Sequence, residues 1–339
     1  MAKRRRIPTP AWDHQPGTLG RKLEAPAWQL WGAIGVILLV IASLGVVGWG
    51  FLSDYLEDRA RPGSTAIEVG DREYSVRDFT DRAKLFVDEN GGADSAFLVF
   101  PTLGQQLIEE AILLQYASEK EVTATDEEVK AAIALKLGIE ATDPNFDARF
   151  QEELVTTELT EEEYRDIARA NVLKTNLTAK FKAEVPATLP SVHYRQIQVA
   201  DQATADDLVT QLEGGADFVA LAAEHSEDAT TKDTGGDKGF VPEGAFSDDA
   251  LEDVLFSLEP NGITTLPGGN AVFVYQVLEK SDIQEVTDDQ KNTLTANAYS
   301  EWLEAKKEEL DVKNDLDFST GDPDKIQYVV EHAALSLQQ

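Results

Sequence analysis

The sequence predicts an α+β protein: a small antiparallel sheet with helices, inserted in an α-helical domain and preceded by one transmembrane helix. Three observations carry this. Residues 192–199 (Val-His-Tyr-Arg-Gln-Ile-Gln-Val) and 271–278 (Ala-Val-Phe-Val-Tyr-Gln-Val-Leu) alternate with period two and are rich in β-branched and aromatic residues, the pattern of half-buried strands. On both sides of this pair, apolar positions recur at helical spacing behind N-cap signals. Near the start, every residue from Trp31 to Leu52 is apolar or small, with one hydroxyl at Ser43 and no charge.

Composition excludes several function classes. The chain has 339 residues, 42% of them hydrophobic, enough for two domains with real cores. With no cysteine there is no disulfide, no thiolate metal site and no cysteine nucleophile. His14, His193, His225 and His332 are scattered, without metal-ligand spacing, so no metal is expected. The formal net charge is −32. Residues 1–27 carry Lys3, Arg4, Arg5, Arg6, Arg21 and Lys22 against Asp13 and Glu24, a net +4, which leaves −36 on the remainder. So acidic a body repels a phosphate backbone, and nucleic acid is not an expected partner.

In chain order, residues 1–27 form a basic, proline-containing tail without apolar periodicity. Residues 28–53 are the anchor: at 1.5 Å per residue, 31–52 can cross a hydrocarbon core of about 30 Å. Trp28, Trp31 and Trp49 stand near its ends, where amphipathic rings favour the headgroup level. Positive charge before the helix and Asp54, Glu57 and Asp58 after it place the N-terminus in the cytoplasm and the body outside. A cleaved signal peptide would have a shorter apolar core and a small-x-small site, which Phe51-Leu52-Ser53-Asp54-Tyr55 does not offer.

Pro62-Gly63-Ser64 reads as a linker, and residues 64–188 as a helical region. It opens with two short strands about Gly70-Asp71. Ser75 caps a helix with Val76, Phe79, Ala83 and Phe86 on one face. A second helix spans about 104–120. Thr125 with Glu128, and Thr160 with Glu163, are capping boxes for further helices, with another at 146–154 between them. Pro186 and Pro190 separate this region from the head at 189–281. In 282–339, Thr287 and Gln290 start a long helix carrying Trp302, which needs a partner to bury it. The 66–185 helices are the obvious one.

The head has pieces specific in order and spacing: Ile197-Gln198-Val199, Gly215-Ala216-Asp217-Phe218, Leu221-Ala222, Ser226-Glu227-Asp228, Gly235-Gly236-Asp237-Lys238-Gly239-Phe240, Phe256-Ser257-Leu258 and Asn261-Gly262-Ile263 before the last strand. In this register the segment resembles a parvulin-type peptidyl-prolyl isomerase. The flanking helices and N-terminal anchor resemble the SurA/PrsA/PpiD class of membrane-anchored foldases. The resemblance implies a parvulin-like sheet and cis-trans isomerisation of X-Pro bonds in unfolded or partly folded exported clients, with the lipid bilayer contacted through 28–53. It implies no cofactor. Asp228 takes the place of the polar residue beside the substrate carbonyl. Phe246, Leu251 and Phe256 line the proline pocket, Phe256 being also a core candidate. Gln196 and Phe273 stand where such domains carry two histidines facing each other across the sheet. By strand parity His193 points away from Gln196 and does not replace them. Paired glycines at 235 and 236 permit a turn that brings backbone close to a bound peptide. The loop 266–270 is short. No basic cluster in the head suits a phosphopeptide.

Isomerisation makes and breaks no covalent bond. It lowers a rotation barrier of roughly 18–20 kcal/mol, which an apolar cradle favouring the twisted, less polar amide can do. The replaced histidines keep two alternatives open: a holdase chaperone without turnover, and a docking subunit of an envelope complex with a degenerate parvulin head. Oligomeric state is not encoded legibly.

Overall fold

In the computed structural model, which describes residues 59–90 and 98–335, four helices begin at reciprocal capping boxes: Ser75 with Asp78, Thr125 with Glu128, Thr160 with Glu163, and Thr287 with Gln290. Each box satisfies backbone N–H groups that the first helical turn leaves without partners. The predicted tail at 1–27 and anchor at 28–53 lie outside the described residues. Among the described residues no helix is long and apolar enough to cross a membrane.

The arm starts with a hairpin, β1 (Thr65–Val69) and β2 (Arg72–Ser75), turned at Gly70-Asp71. Helices α1 (Val76–Glu89), α2 (Gly104–Tyr116), α3 (Asp126–Lys136), α4 (Phe146–Thr157) and α5 (Glu161–Glu184) follow. The second helix is shorter than its sequence pattern, because residues 117–120 tighten into a 3-10 turn that ends with Glu121 in the left-handed region. Phe79, Leu107, Ile112 and Leu177 are fully buried in the main arm core. A satellite core of Val129, Ile133, Phe146, Phe150 and Tyr164 joins α3, α4 and α5.

The head follows: β3 (Thr188–Val199), α6 (Gln202–Glu213), α7 (Phe218–His225), β4 (Asp237–Pro242), α8 (Asp249–Ser257), β5 (Ile263–Gly268) and β6 (Ala271–Glu285). The sheet order is β4-β3-β6-β5 and every pair is antiparallel. The two strands predicted from alternation are thus central neighbours, with Gln196 opposite Tyr275 and Gln198 opposite Phe273. They run further than predicted. Pro190 does not end the arm. It sits inside β3 at a register shift between Leu189 and Ser191, where its missing N–H is tolerated. The residues read as a short loop before the last strand are mostly β5, an edge strand that accommodates Pro267 for the same reason.

Beyond the head lie α9 (Asp288–Glu309), β7 (Lys313–Asn314) and α10 (Pro323–Leu335). β7 pairs with β1, and Trp302, Leu316, Val329 and Ala333 join the main arm core. Two segments separated by the whole head therefore share one core. Trp302 is buried, yet its Nε1 has no hydrogen-bond partner. Trp302→Phe removes that unsatisfied donor, worth about 1–3 kcal/mol, while giving up a similar amount of ring burial. Urea unfolding should therefore show a net change within about 1 kcal/mol, although a buried tryptophan truncated to alanine ordinarily costs about 3–5.

Candidate functional site

Strand parity divides the head into two faces. On one, Ile197, Val199, Val272 and Val274 pack against Leu208 and Ala205 of α6 and Phe218 and Leu221 of α7. Burying each large side chain here contributes roughly 1.5–3 kcal/mol. Arg195 also lies on this side, its guanidinium over the Phe218 ring at 4.3 Å and bonded to Gln276 Oε1 at 2.6 and 2.9 Å.

The opposite face carries the predicted site. Val192, Tyr194, Phe246, Leu255, Tyr275 and Val277 are buried there, and Leu251, Phe256, Leu266 and Phe273 are half-buried against them. Of the pocket candidates, Phe246 is the most enclosed, 9% exposed. Its ring meets Tyr194 at 5.9 Å and Phe256 edge-on at 6.3 Å. Phe273 stacks on Tyr275 at 5.9 Å and lies against Gly268, where a Cβ would come within 2.7 Å of its ring. The helix α8 thus buries Leu255, which sequence reasoning passed over, and leaves Phe256 on the half-buried rim.

Asp228 joins this face through Gln196, whose Nε2 donates to Oδ2 at 2.9 Å. Thr231 Oγ1 donates to the same oxygen at 2.7 Å, and Thr230 supplies its backbone N–H, at 2.9 Å, and its hydroxyl to Oδ1. The loop itself is strapped to β3: Glu227 N donates to Gln198 O at 2.8 Å, and Ser226 Oγ accepts from Gln198 N. Burial pushes the Asp228 carboxyl up, but the hydrogen bonds from Thr230, Thr231 and Gln196 outweigh it and hold the group well below the usual carboxylate range.

A depressed pKa makes Asp228 a source of stability above the unfolded-state value, about 3.9, that fades as pH falls below it. Removing the charge with Asp228→Asn should therefore open a stability gap that stays constant from about pH 7 to 5. The gap should shrink below about pH 4 in urea unfolding of both proteins. Turnover should show no acid limb from Asp228 in the same upper range.

The remaining sequence candidates separate. His193 points away from Gln196, as parity requires; its Nε2 contacts Asp237 Oδ1 at 2.7 Å and its ring meets Phe240. Gln196 and Phe273 share a face but do not sit opposite each other. The residue across from Gln196 is Tyr275. The paired glycines bring backbone close, but to the protein itself. Gly236, at φ +79°, lies so near Gln196 that an added Cβ would be 2.1 Å from its carbonyl oxygen. Thr230, Thr231, Tyr194, Tyr275 and Leu266 belong to the site and were not singled out. Parity with Gln196 and Phe273 would have found both tyrosines. The hydroxyl pair two and three residues after Asp228 would have suggested a turn folding back on its carboxylate.

The PPIC-type PPIASE domain matches residues 187–281, and the SurA-like N-terminal domain matches residues 26–178. The chain is 27% identical over 263 residues to the foldase protein PrsA of Caldanaerobacter subterraneus subsp. tengcongensis, covering 71% of this chain and 74% of that one. It is 24% identical over 249 residues to the foldase protein PrsA of Streptococcus sanguinis, covering 68% of each. Among solved structures, the peptidylprolyl isomerase PrsA from Bacillus anthracis aligns over 70% of this chain and 97% of that one, at 19% identity and a TM-score of 0.38. The β3–β6 head, with Asp228 and its aromatic face, is a PPIC-type peptidyl-prolyl cis-trans isomerase domain, and it follows a SurA-like N-terminal domain.

Proposed function

We propose that this protein is a membrane-anchored foldase that isomerises X-Pro bonds in exported, incompletely folded clients. The proline ring rests on the face made by Phe246, Leu251, Phe256 and Phe273, with Asp228 and Gln196 beside the substrate carbonyl. The observation that carries the reading is the placement of Asp228, bonded to Gln196, on the same sheet face as a half-buried aromatic cluster.

The physics follows from that placement. A planar amide carries partial negative charge on its oxygen, and twisting about C–N removes it. A fixed carboxylate near that oxygen destabilises the planar form more than the twisted one, and carbon surface around the ring does the same by withholding water. Gln196 holds the carboxylate in place. No proton transfer is needed, so the histidine pair is dispensable to this scheme.

The same reading divides the chain into a cytoplasmic tail at 1–27, an anchor at 28–53, a helical chaperone region at 64–188, the isomerase at 189–281, and helices at 282–339 that complete the chaperone region. The uncharged stretch from Trp31 to Leu52, with basic residues before it and acidic ones after, supports a single span with the body outside the cytoplasm.

One observation favours a second reading, a holdase that binds without turnover: Asp228 already accepts four hydrogen bonds from its own neighbours. The full chain in detergent micelles, assayed by protease-coupled isomerisation on a panel of X-Pro peptides, separates the two. Acceleration that scales with protein concentration supports the isomerase. Suppression of client aggregation with no acceleration on any peptide leaves the holdase.

A further inference from the structure

The isomerase domain match ends at residue 281, yet one wall of its aromatic face is held from outside it. Helix α9 touches the 240–246 segment at three points along one stripe. Gln290 Nε2 donates to Phe240 O at 2.6 Å. Asn297 Nδ2 donates to Gly244 O at 2.8 Å and reaches Phe246 O at 3.3 Å. Leu294 packs between them, close to Gly244. From the other side Glu252 of α8 accepts the Gly244 N–H at 3.0 Å. The segment is thus held at backbone atoms of Phe240, Gly244 and Phe246 itself.

The far half of α9 is fixed in the arm. Trp302 is in the arm core, Tyr299 O–H donates to Glu109, and Lys306 pairs with Glu119 at 2.6 Å. At 1.5 Å per residue, the rod between Gln290 and Trp302 is about 18 Å long, and an α-helix of that length does not bend easily. Whatever shifts the arm core shifts the backbone that carries Phe246.

We propose that Asn297, with Leu294 and Gln290, is a positioning residue for the isomerase. It holds the Phe246 wall where a proline ring can settle, and so couples substrate affinity in the head to the state of the arm. This rests on the reading of the aromatic face as the proline site.

The test uses the full chain in detergent micelles with Asn297→Ala and Asn297→Asp. Alanine removes both donated bonds and favours the helix, so the melting temperature should not fall. Aspartate keeps the shape but turns an acceptor toward two carbonyl oxygens. KM for a proline tetrapeptide should rise about fivefold in the alanine variant, the factor that about 1 kcal/mol carries. It should rise at least about tenfold in the aspartate variant, with kcat in both within about twofold of the parent. Parent-like KM in both variants, with an active parent, overturns the coupling and leaves the isomerase reading intact. A parent inert on every peptide removes the reading itself, and the coupling with it.

Discussion

Asp228→Ala should lower kcat/KM for proline peptides by about 10²-fold, the order seen when one preorganised electrostatic group is deleted from an active site. The same change should destabilise the fold by about 2–4 kcal/mol, because Gln196, Thr230 and Thr231 lose a common acceptor in a buried place. The two effects come apart in Asp228→Asn. The amide keeps most of the shape and some of the hydrogen bonds, so stability should recover in part. The negative charge beside the carbonyl is gone, so turnover should stay low. If Asp228→Asn turned over like the parent while Asp228→Ala did not, the residue would be a scaffold only. The aromatic face would then be left to act alone.

Gly236→Ala should unfold the head outright. Its Cβ would lie 2.1 Å from Gln196 O, against backbone that has nowhere to go, because Gln196 N donates to Gly236 O at 2.9 Å across the same contact. The residue also sits at φ +79°, where an L side chain costs a further 1–2 kcal/mol or so. Together these put the loss at about 4 kcal/mol or more, in the range reserved for broken backbone positions. Near-native urea unfolding of Gly236→Ala would mean that the β3–β4 contact is much looser than this geometry. The catalytic consequence follows by proximity, since Gln196 is one of the three residues whose hydrogen bonds hold the Asp228 carboxylate.

Much of this architecture is legible in the residues, and the exceptions have physical causes. Val192–Val199 and Ala271–Leu278 announce themselves because polar residues are interspersed in short runs of β-branched and aromatic ones, although both faces of each strand pack against buried clusters. Capping boxes mark helix starts regardless of tertiary context, so Thr125, Thr160 and Thr287 were readable at once. β4 escapes because its run is mostly half-exposed and broken by Gly239, leaving no alternation to detect. β5 escapes because Pro267 and Gly268 read as loop, which only its position at the sheet edge permits. Phe181 and Leu173 of α5 lie in a core shared with α2 and with Trp302 of α9, from about sixty to more than a hundred residues away, a fact that no local window contains.

The site was legible by type more than by geometry. Asp228 and Gln196 are recognisable as polar residues in an apolar frame, and they do meet. Their saturation by Thr230 and Thr231 depends on how the loop turns back, and Asn297 reaches Phe246 only because α9 passes beside the head. Pairing across the sheet is set by the register of β6 on β3, which a count of residues does not give, and it puts Gln196 across from Tyr275 rather than Phe273.

The central claim is that a proline ring settles on the Gln196–Asp228 face of the head sheet and turns there. Two-dimensional exchange NMR of a proline tetrapeptide with the isotope-labelled full chain tests it most directly. The account predicts cis-trans exchange cross-peaks at catalytic amounts of protein, with shift changes gathered on Phe246, Leu251, Phe256 and Phe273. Absent exchange cross-peaks, with shift changes confined to the helical arm, would contradict it.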